Sequence, residues 1–114
     1  MKYARTKTRN ELLPGTLEML ILKTLSIEPM HGYGIAQHIQ MLSADVLRIE
    51  EGSLYPALQR ILVKGWVSAA WKISANNRRA RYYRLTAAGR KQLGVEESRF
   101  SEMFAAIMRV MKAT

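Results

Sequence analysis

The chain of 114 residues contains no cysteine and only two histidines. The absence of cysteine excludes a disulfide framework, a thiol nucleophile and a cysteine-ligated zinc or iron–sulfur site. His31 and His38 do not form a metal-binding pattern, because the only acid near them, Glu28, is followed at once by Pro29. Ser53 has no neighbouring base to activate its hydroxyl. We therefore expect no enzymatic activity, no metal site and no cofactor.

Long apolar runs are also missing from the sequence. Residues 12–27 are the most apolar stretch, but Pro14, Glu18 and Lys23 interrupt it and no small-residue cleavage site follows. No other stretch approaches the roughly 18 apolar residues that a membrane span needs. Hydrophobic residues still make up 48% of the chain, which is enough for the core of one domain. These features predict a single folded domain in the cytoplasm, without a membrane partner.

Acidic residues are scarce, with 9 against 18 lysines and arginines, and the formal net charge is +9. The excess is local: residues 2–9 hold four cations and residues 71–84 hold five, and neither segment contains an acid. Residues 11–63 have three cations and six acids, a net charge of −3. Such clustering favours a surface for a polyanion, and a basic loop that only aids solubility is the alternative for the second cluster. We interpret residues 1–10 as a flexible basic arm.

Apolar residues at three- and four-residue spacing predict three helices in the first half of the chain. The first covers about residues 16–28, the second about 33–43, and the third opens at Gly52-Ser53 and ends at Gly65. Ser53 is the expected N-cap of the third helix, because Pro56 would then lie in the first turn, where proline removes no helical hydrogen bond.

Alternating and aromatic-rich segments predict short strands. Residues 66–72 and 81–85 read as the two strands of a hairpin, with the turn and basic tip at residues 75–78. A further short strand is expected over residues 46–49. Aromatic side chains in strands usually pack against helices, so we expect Trp66 and Trp71 to belong to the core rather than to stack on bases. Two residues of the second strand are also expected in the core: Tyr83 and Leu85.

The last predicted helix begins after Thr86, its expected N-cap, with Gly89 as a point of close packing. It carries an apolar stripe that a domain of about eighty residues has little surface left to cover, so the stripe is expected to meet a second copy of the chain. The predicted dimer interface comprises Leu93, Phe100, Met103, Phe104, Ile107 and Met111.

Three helices followed by a β-hairpin is the element order of a winged helix-turn-helix. The expected fold is mainly α with a small β-hairpin: residues 11–85 form the DNA-binding domain and residues 86–114 form a long C-terminal dimerisation helix. The third helix of such a domain fits the major groove of DNA, and the hairpin lies along the phosphates. The predicted DNA-binding residues are Ser53, Tyr55, Gln59, Arg60, Lys64, Arg78, Arg79 and Arg81.

Three blocks of sequence resemble the PadR family of bacterial transcriptional regulators. They are His31-Gly32-Tyr33, residues 52–58 (GSLYPAL) and residues 82–89 (YYRLTAAG), and the resemblance extends over about residues 12–93. Residues 50–53 and 76–81 look most like the subgroup common in acidobacteria.

The resemblance implies a homodimeric repressor of the short C-terminal type, which binds a pseudo-palindromic operator in double-stranded DNA. Members are often autoregulated or placed beside a transporter or stress gene, and some bind a small-molecule effector, whose identity is open for this chain. Tyr55 either packs sideways onto the hairpin or donates its hydroxyl to DNA, and the resemblance favours DNA.

Two other functions compete with a sequence-specific regulator. A non-specific nucleoid or RNA-binding protein would also use a basic arm and a basic hairpin. A membrane-surface protein acting through the last helix is the third alternative, but from Thr86 onwards five cations face three acids, which gives only +2. The ratio of specific to non-specific DNA affinity at one salt concentration separates the first two.

Overall fold

A computed structural model of the protein describes residues 15–114. Its elements are α1 (Thr16–Leu25), β1 (Met30–His31), α2 (Gly32–Leu42), α3 (Glu51–Val63), β2 (Val67–Ile73), β3 (Arg79–Leu85) and α4 (Ala87–Met111). The strands form one antiparallel sheet in the order β1-β3-β2. This confirms the predicted winged helix-turn-helix with a long C-terminal helix; the predicted basic arm lies outside the described residues. Within them, no helix is long and apolar enough to cross a membrane.

The core lies where α1, α2 and α3 pack against one another and against the base of the sheet. Each of these helices contributes aliphatic side chains from one face, as the spacing predicts. The largest fully buried side chains are Ile21, Leu22, Ile35, Leu54, Leu58 and Ile61. Tyr83 and Leu85 of β3 are buried beside them, which confirms their predicted place in the core. The recognition helix of the motif, α3, is thus fixed along its inner face.

Two features of the chain between the helices differ from expectation. β1 was not predicted; it pairs Met30 with Tyr83 and His31 with Tyr82, and two residues are too few to show a periodicity. The predicted strand at residues 46–49 does not form, and this segment is irregular. Its alternation arises because Leu47 and Ile49 pack against the core while their neighbours are exposed, without any strand partner.

The start of α3 also differs from the prediction. The helix begins at Glu51 with Glu50 as N-cap, so Ser53 lies inside the first turn and is not the cap. Pro56 consequently lies in the second turn. Because proline has no backbone N–H, the Gly52 carbonyl lacks its usual helical donor there. The earlier start leaves the Ser53 side chain exposed on the helix surface.

The hairpin of β2 and β3 forms as predicted, and its turn is built from Ser74 to Asn77. The Ser74 N–H donates to the Arg78 carbonyl at 2.6 Å, and the Asn77 N–H donates to the Ser74 carbonyl at 2.9 Å. Asn77 has a φ of 62°, a left-handed conformation that asparagine tolerates better than most residues. The hairpin therefore extends beyond the core as a defined wing with a basic tip.

The helix α4 begins as predicted and then leaves the domain. Thr86 Oγ1 accepts from the Gly89 N–H at 3.0 Å and so caps the helix. Leu93, which we assigned to the dimer interface, is only 6% exposed and belongs to the core of its own domain. The prediction for Leu93 is wrong because helical spacing identifies a face but not where that face passes out of the core. The other five residues of the predicted stripe are exposed.

The two glycines inside α4 have opposite surroundings and give a matched test of the packing. A Cβ on Gly89 would overlap the Trp66 carbonyl oxygen, whereas a Cβ on Gly94 would meet nothing within 4 Å. We expect Gly89→Ala to lower the free energy of unfolding by about 1–3 kcal/mol or more. Gly94→Ala should raise it by about 0.5–1 kcal/mol, because alanine is the better helix former. Urea unfolding followed by circular dichroism, at one protein concentration, measures both; similar values would contradict the packing of Gly89.

Candidate nucleic-acid interface

The surface of α3 that faces away from the core divides into three parts. We call its centre the outer strip; it comprises Gly52, Pro56, Gln59 and Val63, all of them exposed. One flank carries Ser53, Arg60 and Lys64, and the opposite flank carries Glu51 and Tyr55. The five predicted DNA-binding residues of this helix are therefore all exposed, but they are spread over three sides of it.

Arg60 ties α3 to α1. Its Nε donates to Oε2 of Glu18 at 2.8 Å, and the Glu18 side chain is 12% exposed while that of Arg60 is 52% exposed. A buried carboxylate needs such a charged donor, because burial without one is costly. Among the described residues, Nε is the only Arg60 atom that bonds to Glu18. The two terminal nitrogens of this half-exposed guanidinium can therefore donate to a phosphate. Arg60 thus has a structural role that the sequence did not reveal.

Tyr55 lies across the beginning of α2. A Cβ on Gly32 would be 2.8 Å from the Tyr55 hydroxyl oxygen, so the glycine makes room for the ring. Burial raises the pKa of Tyr55 above its ordinary value, and the charge of Glu51 and the nearby Tyr83 add to this. The hydroxyl is therefore a hydrogen-bond donor at neutral pH. Tyr55 packs against α2 with its ring and keeps part of its surface exposed beside the wing.

The inner face of the wing, which continues the core face of the sheet, carries two arginines on aromatic rings. Arg79 Cζ lies 5.0 Å from the centroid of the Trp71 ring, and Arg81 Cζ lies 5.8 Å from that of Tyr83. Trp71 is 57% exposed, so its predicted place in the core is wrong. The alternation of apolar residues correctly placed Trp71 on the same face of β2 as the buried Val67. The strand continues past the edge of the core, however, so this face is exposed at Trp71. Stacking of this kind restrains a guanidinium while leaving its edge open to solvent.

The outer face of the wing is cationic as well. Lys72 Nζ lies 5.7 Å from the ring centroid of Tyr82, and Arg84 is exposed on the same face. At the base of the wing, Lys64 Nζ lies 4.6 Å from the ring centroid of the half-buried Trp66. Lys72 and Arg84 were not among the predicted site residues, although their position in the basic segment of residues 71–84 was a sufficient signal. The wing thus presents positive charge on both faces and at its tip.

A groove of about 800 Å³ lies between the start of α2, Tyr55 and the wing. It brings together four of the predicted residues: Tyr55, Arg78, Arg79 and Arg81. Ser53, Gln59 and Arg60 of α3 lie outside it, and so does Lys64, the C-cap residue of that helix. Tyr33, which the prediction omitted, also lines the groove and accepts a hydrogen bond from Gln37 Nε2 at 3.1 Å. An aromatic floor beneath arginines is an arrangement suited to a polyanion.

The amino-terminal end of α3 is acidic. Glu50 and Glu51 are exposed, and neither forms an ion pair with another described residue. Carboxylates here stabilise the helix through its dipole, but they repel phosphate. A phosphate backbone is therefore favoured at the wing and at the flank of Arg60 and Lys64, and disfavoured at this end of the helix.

A helix-turn-helix whose second helix is exposed beside a basic, arginine-rich hairpin defines the class of winged helix-turn-helix DNA-binding proteins. Residues 21–95 match the family described as the Transcriptional regulator PadR-like family. The chain therefore belongs to the PadR family, and it is a DNA-binding transcriptional regulator rather than an enzyme. The narrower acidobacterial subgroup stays a prediction.

Solved structures agree with this assignment. A PadR family transcriptional regulator from Eggerthella lenta is 27% identical, with a TM-score of 0.73 and coverage of 88% of this chain and 85% of that one. A PadR-like transcription factor from Bacteroides fragilis is 30% identical, with a TM-score of 0.68 and coverage of 84% and 90%. A transcriptional regulator from Clostridium thermocellum has the same fold, with a TM-score of 0.79 at 24% identity and coverage of 86% and 95%.

The ion pair between α1 and α3 predicts a difference between two neighbouring residues. Arg60→Ala leaves the buried Glu18 carboxylate without its donor and should lower the free energy of unfolding by about 1–2 kcal/mol, since the pair is partly screened by solvent. Gln59→Ala, one position earlier and exposed, should change it by less than about 0.5 kcal/mol. Thermal or urea unfolding compares the two, and equal stabilities would show that the pair does not hold α3 in place.

Proposed function

We propose that the protein is a homodimeric repressor that acts in the cytoplasm and binds a pseudo-palindromic operator. In each subunit α3 enters the major groove and the wing contacts the adjacent backbone. The observation that carries the proposal is the groove in which Tyr55 of α3 and the arginines of the wing lie side by side. Repression, the operator symmetry and a small-molecule effector of unidentified nature come from the resemblance to the PadR family.

The wing supplies most of the binding energy in this proposal. Arg78, Arg79 and Arg81 are exposed, and Arg79 and Arg81 lie on aromatic rings. Among residues 15–114, no carboxylate forms an ion pair with any of the three. A guanidinium that is not neutralised by an acid can displace counterions from DNA, and it can bind a phosphate with two parallel hydrogen bonds. These contacts position the protein without selecting a base.

Replacing Arg78, Arg79 and Arg81 together by alanine should weaken binding to every duplex, whatever its sequence. The slope of log affinity against log salt should become shallower by about 0.9 for each phosphate that the variant no longer neutralises. Fluorescence anisotropy titrations at several salt concentrations give both quantities. Arg109→Ala, which removes charge from the last turn of α4, is the control and should leave the slope unchanged. A wing variant with the wild-type slope would exclude the wing from the interface.

The apolar stripe on α4 is the basis for the proposed homodimer. Beyond Leu93 this helix has an exposed stripe of large apolar side chains at three- and four-residue spacing: Phe100, Met103, Phe104, Ile107 and Met111. Phe100 and Phe104 stack along the helix, with ring centroids 6.1 Å apart and planes at 15°. A stripe of this spacing is typical of helices that pair with a symmetry mate. These five exposed side chains are the dimer interface in this proposal, which no longer includes the buried Leu93.

Phe104→Glu should separate the subunits. Loss of a buried aromatic side chain costs about 3–5 kcal/mol, a buried unpaired carboxylate adds to that, and both effects occur twice across a two-fold axis. The control is Ala105→Glu, which places the same charge on the exposed, opposite side of α4. Sedimentation measures the mass of each variant, and circular dichroism checks that it remains helical. A Phe104→Glu variant that stays dimeric would remove this stripe from the interface.

The alternative of a non-specific nucleoid or RNA-binding protein is tested with DNA alone. Selection of bound fragments from a random duplex pool should yield a palindrome whose half-sites are about one helical turn apart. Affinity for that palindrome should exceed affinity for unrelated DNA by at least about 10³-fold at one salt concentration. A pool that shows no enriched sequence would favour the non-specific alternative. Transcription from a promoter carrying the palindrome, with and without the protein, then distinguishes repression from activation.

A further inference from the structure

We propose that the outer strip of α3 reads A·T base pairs, through the methyl groups of thymine and the edge of adenine. The outer strip comprises Gly52, Pro56, Gln59 and Val63. This inference rests on the proposed function, because it requires α3 to lie in a major groove. It goes further by naming the base pairs that the helix selects and the atoms by which it recognises them.

The strip lies on the side of α3 directly opposite the buried face. Its members recur at three- and four-residue spacing, and at 100° per residue they point within a narrow sector. Val63 is 76% exposed although it lies in the last turn of an otherwise well-packed helix. Its neighbour Ile61, by contrast, is fully buried. The strip is thus the part of α3 that would penetrate deepest into a groove.

The chemistry of the strip is unusually restricted for a surface that meets DNA. Glycine has no side chain, and proline and valine carry only apolar groups, so Gln59 is the single side chain here that can hydrogen-bond. A Cβ added to Gly52 would meet no atom within 4 Å, so the helix backbone itself is open to close approach at this position. The strip therefore combines three apolar positions with one amide.

The major groove offers a matching partner for each of these groups. Thymine is the base that presents a methyl group there, and aliphatic side chains contact it. Adenine presents an acceptor at N7 and a donor at N6, which the amide of glutamine satisfies in a two-bond contact. A strip of one amide between aliphatic groups is therefore complementary to A·T pairs.

The same groups are poorly suited to guanine. Guanine is most often read by arginine or lysine, which donate to O6 and N7. The cations of α3 are on its flank, where Arg60 is held by Glu18 at 2.8 Å and Lys64 lies 4.6 Å from the Trp66 ring centroid. These positions suit the phosphates beside the groove. The acids Glu50 and Glu51 lie at the amino-terminal end, outside the strip.

The test starts from the palindrome selected from the random pool and alters single atoms of its bases. Replacing one thymine by uracil removes only the methyl group, and at the contacted positions it should weaken binding about fourfold, since burying one methyl-sized group is worth about 0.8 kcal/mol. Replacing one adenine by 7-deazaadenine removes the N7 acceptor and should weaken binding about fivefold at the Gln59 contact. The same changes outside the half-sites are the DNA controls and should have no effect.

Protein variants then assign each methyl group to a side chain. In Val63→Ala or Pro56→Ala, the uracil penalty at one position should fall from about fourfold towards onefold, because alanine retains only one carbon of the side chain that contacts the methyl group. Gln59→Ala should abolish the 7-deazaadenine penalty in the same way. Leu42→Ala, an exposed aliphatic residue at the end of α2, is the matched control and should keep every penalty. Circular dichroism confirms that each variant is folded.

The outcomes separate this inference from the function on which it rests. If a palindrome is selected and the strip variants lose its uracil penalties, the result supports both the proposed function and the reading of A·T pairs. A selected palindrome whose half-sites lack A·T pairs, or whose uracil penalties are unchanged in Val63→Ala and Pro56→Ala, overturns the reading of A·T pairs and leaves the proposed function standing. A pool without any enriched sequence overturns the proposed function and, with it, the reading by the strip.

Discussion

The relative placement of the recognition helix, the wing and the C-terminal helix depends on one small set of hydrogen bonds where the three meet. Gly65, which follows the C-cap residue of α3, has a φ of 79°. The carbonyl of the next residue, Trp66, accepts a hydrogen bond from the Thr86 N–H at 3.1 Å. Thr86 Oγ1 donates to the Gly65 carbonyl at 2.7 Å while it also caps α4. Gly89 allows α4 to approach the Trp66 carbonyl closely. The entry and exit of the hairpin are thereby fixed to the ends of both helices.

This junction matters because α4 extends far from the domain. Its 25 residues span about 37 Å, so a small change of angle at its first turn would be amplified at its far end. The helix α1 also connects α3 to α4. It packs against α4, and its Glu18 forms an ion pair with Arg60 of α3. With both connections in place, the direction of the apolar stripe is fixed relative to α3. In a dimer of such chains, the geometry of α4 would determine the separation of the two recognition helices.

The sequence predicted the elements that local patterns encode and failed where tertiary context decides. Helical spacing and the Thr86 cap correctly predicted the four helices, and the turn residues correctly predicted the hairpin. Periodicity gave the correct faces of Trp71 and Leu93, but a periodic pattern contains no information about where the core ends. Trp71 therefore lies beyond the core and is exposed, whereas Leu93 is covered by its own domain and not by a partner. β1 was too short to leave a pattern. The pairing of Arg60 with Glu18 joins residues 42 positions apart, and nothing in the sequence alone selects that partner.

The uneven charge of the chain has a physical explanation in the proposed complex. Residues 71–84 carry five cations and residues 11–63 a net charge of −3, so attraction to the backbone beyond the first ten residues is concentrated in the wing. A recognition helix that is itself cationic would bind phosphate in any sequence, whereas one whose outer strip is uncharged gains little on a wrong site. Affinity from phosphates depends strongly on salt, and contacts to base edges depend on it much less. In this arrangement the wing and the flank of Arg60 and Lys64 contact phosphates, and the outer strip contacts base edges. Salt therefore weakens binding to all DNA, while discrimination between sequences is largely preserved.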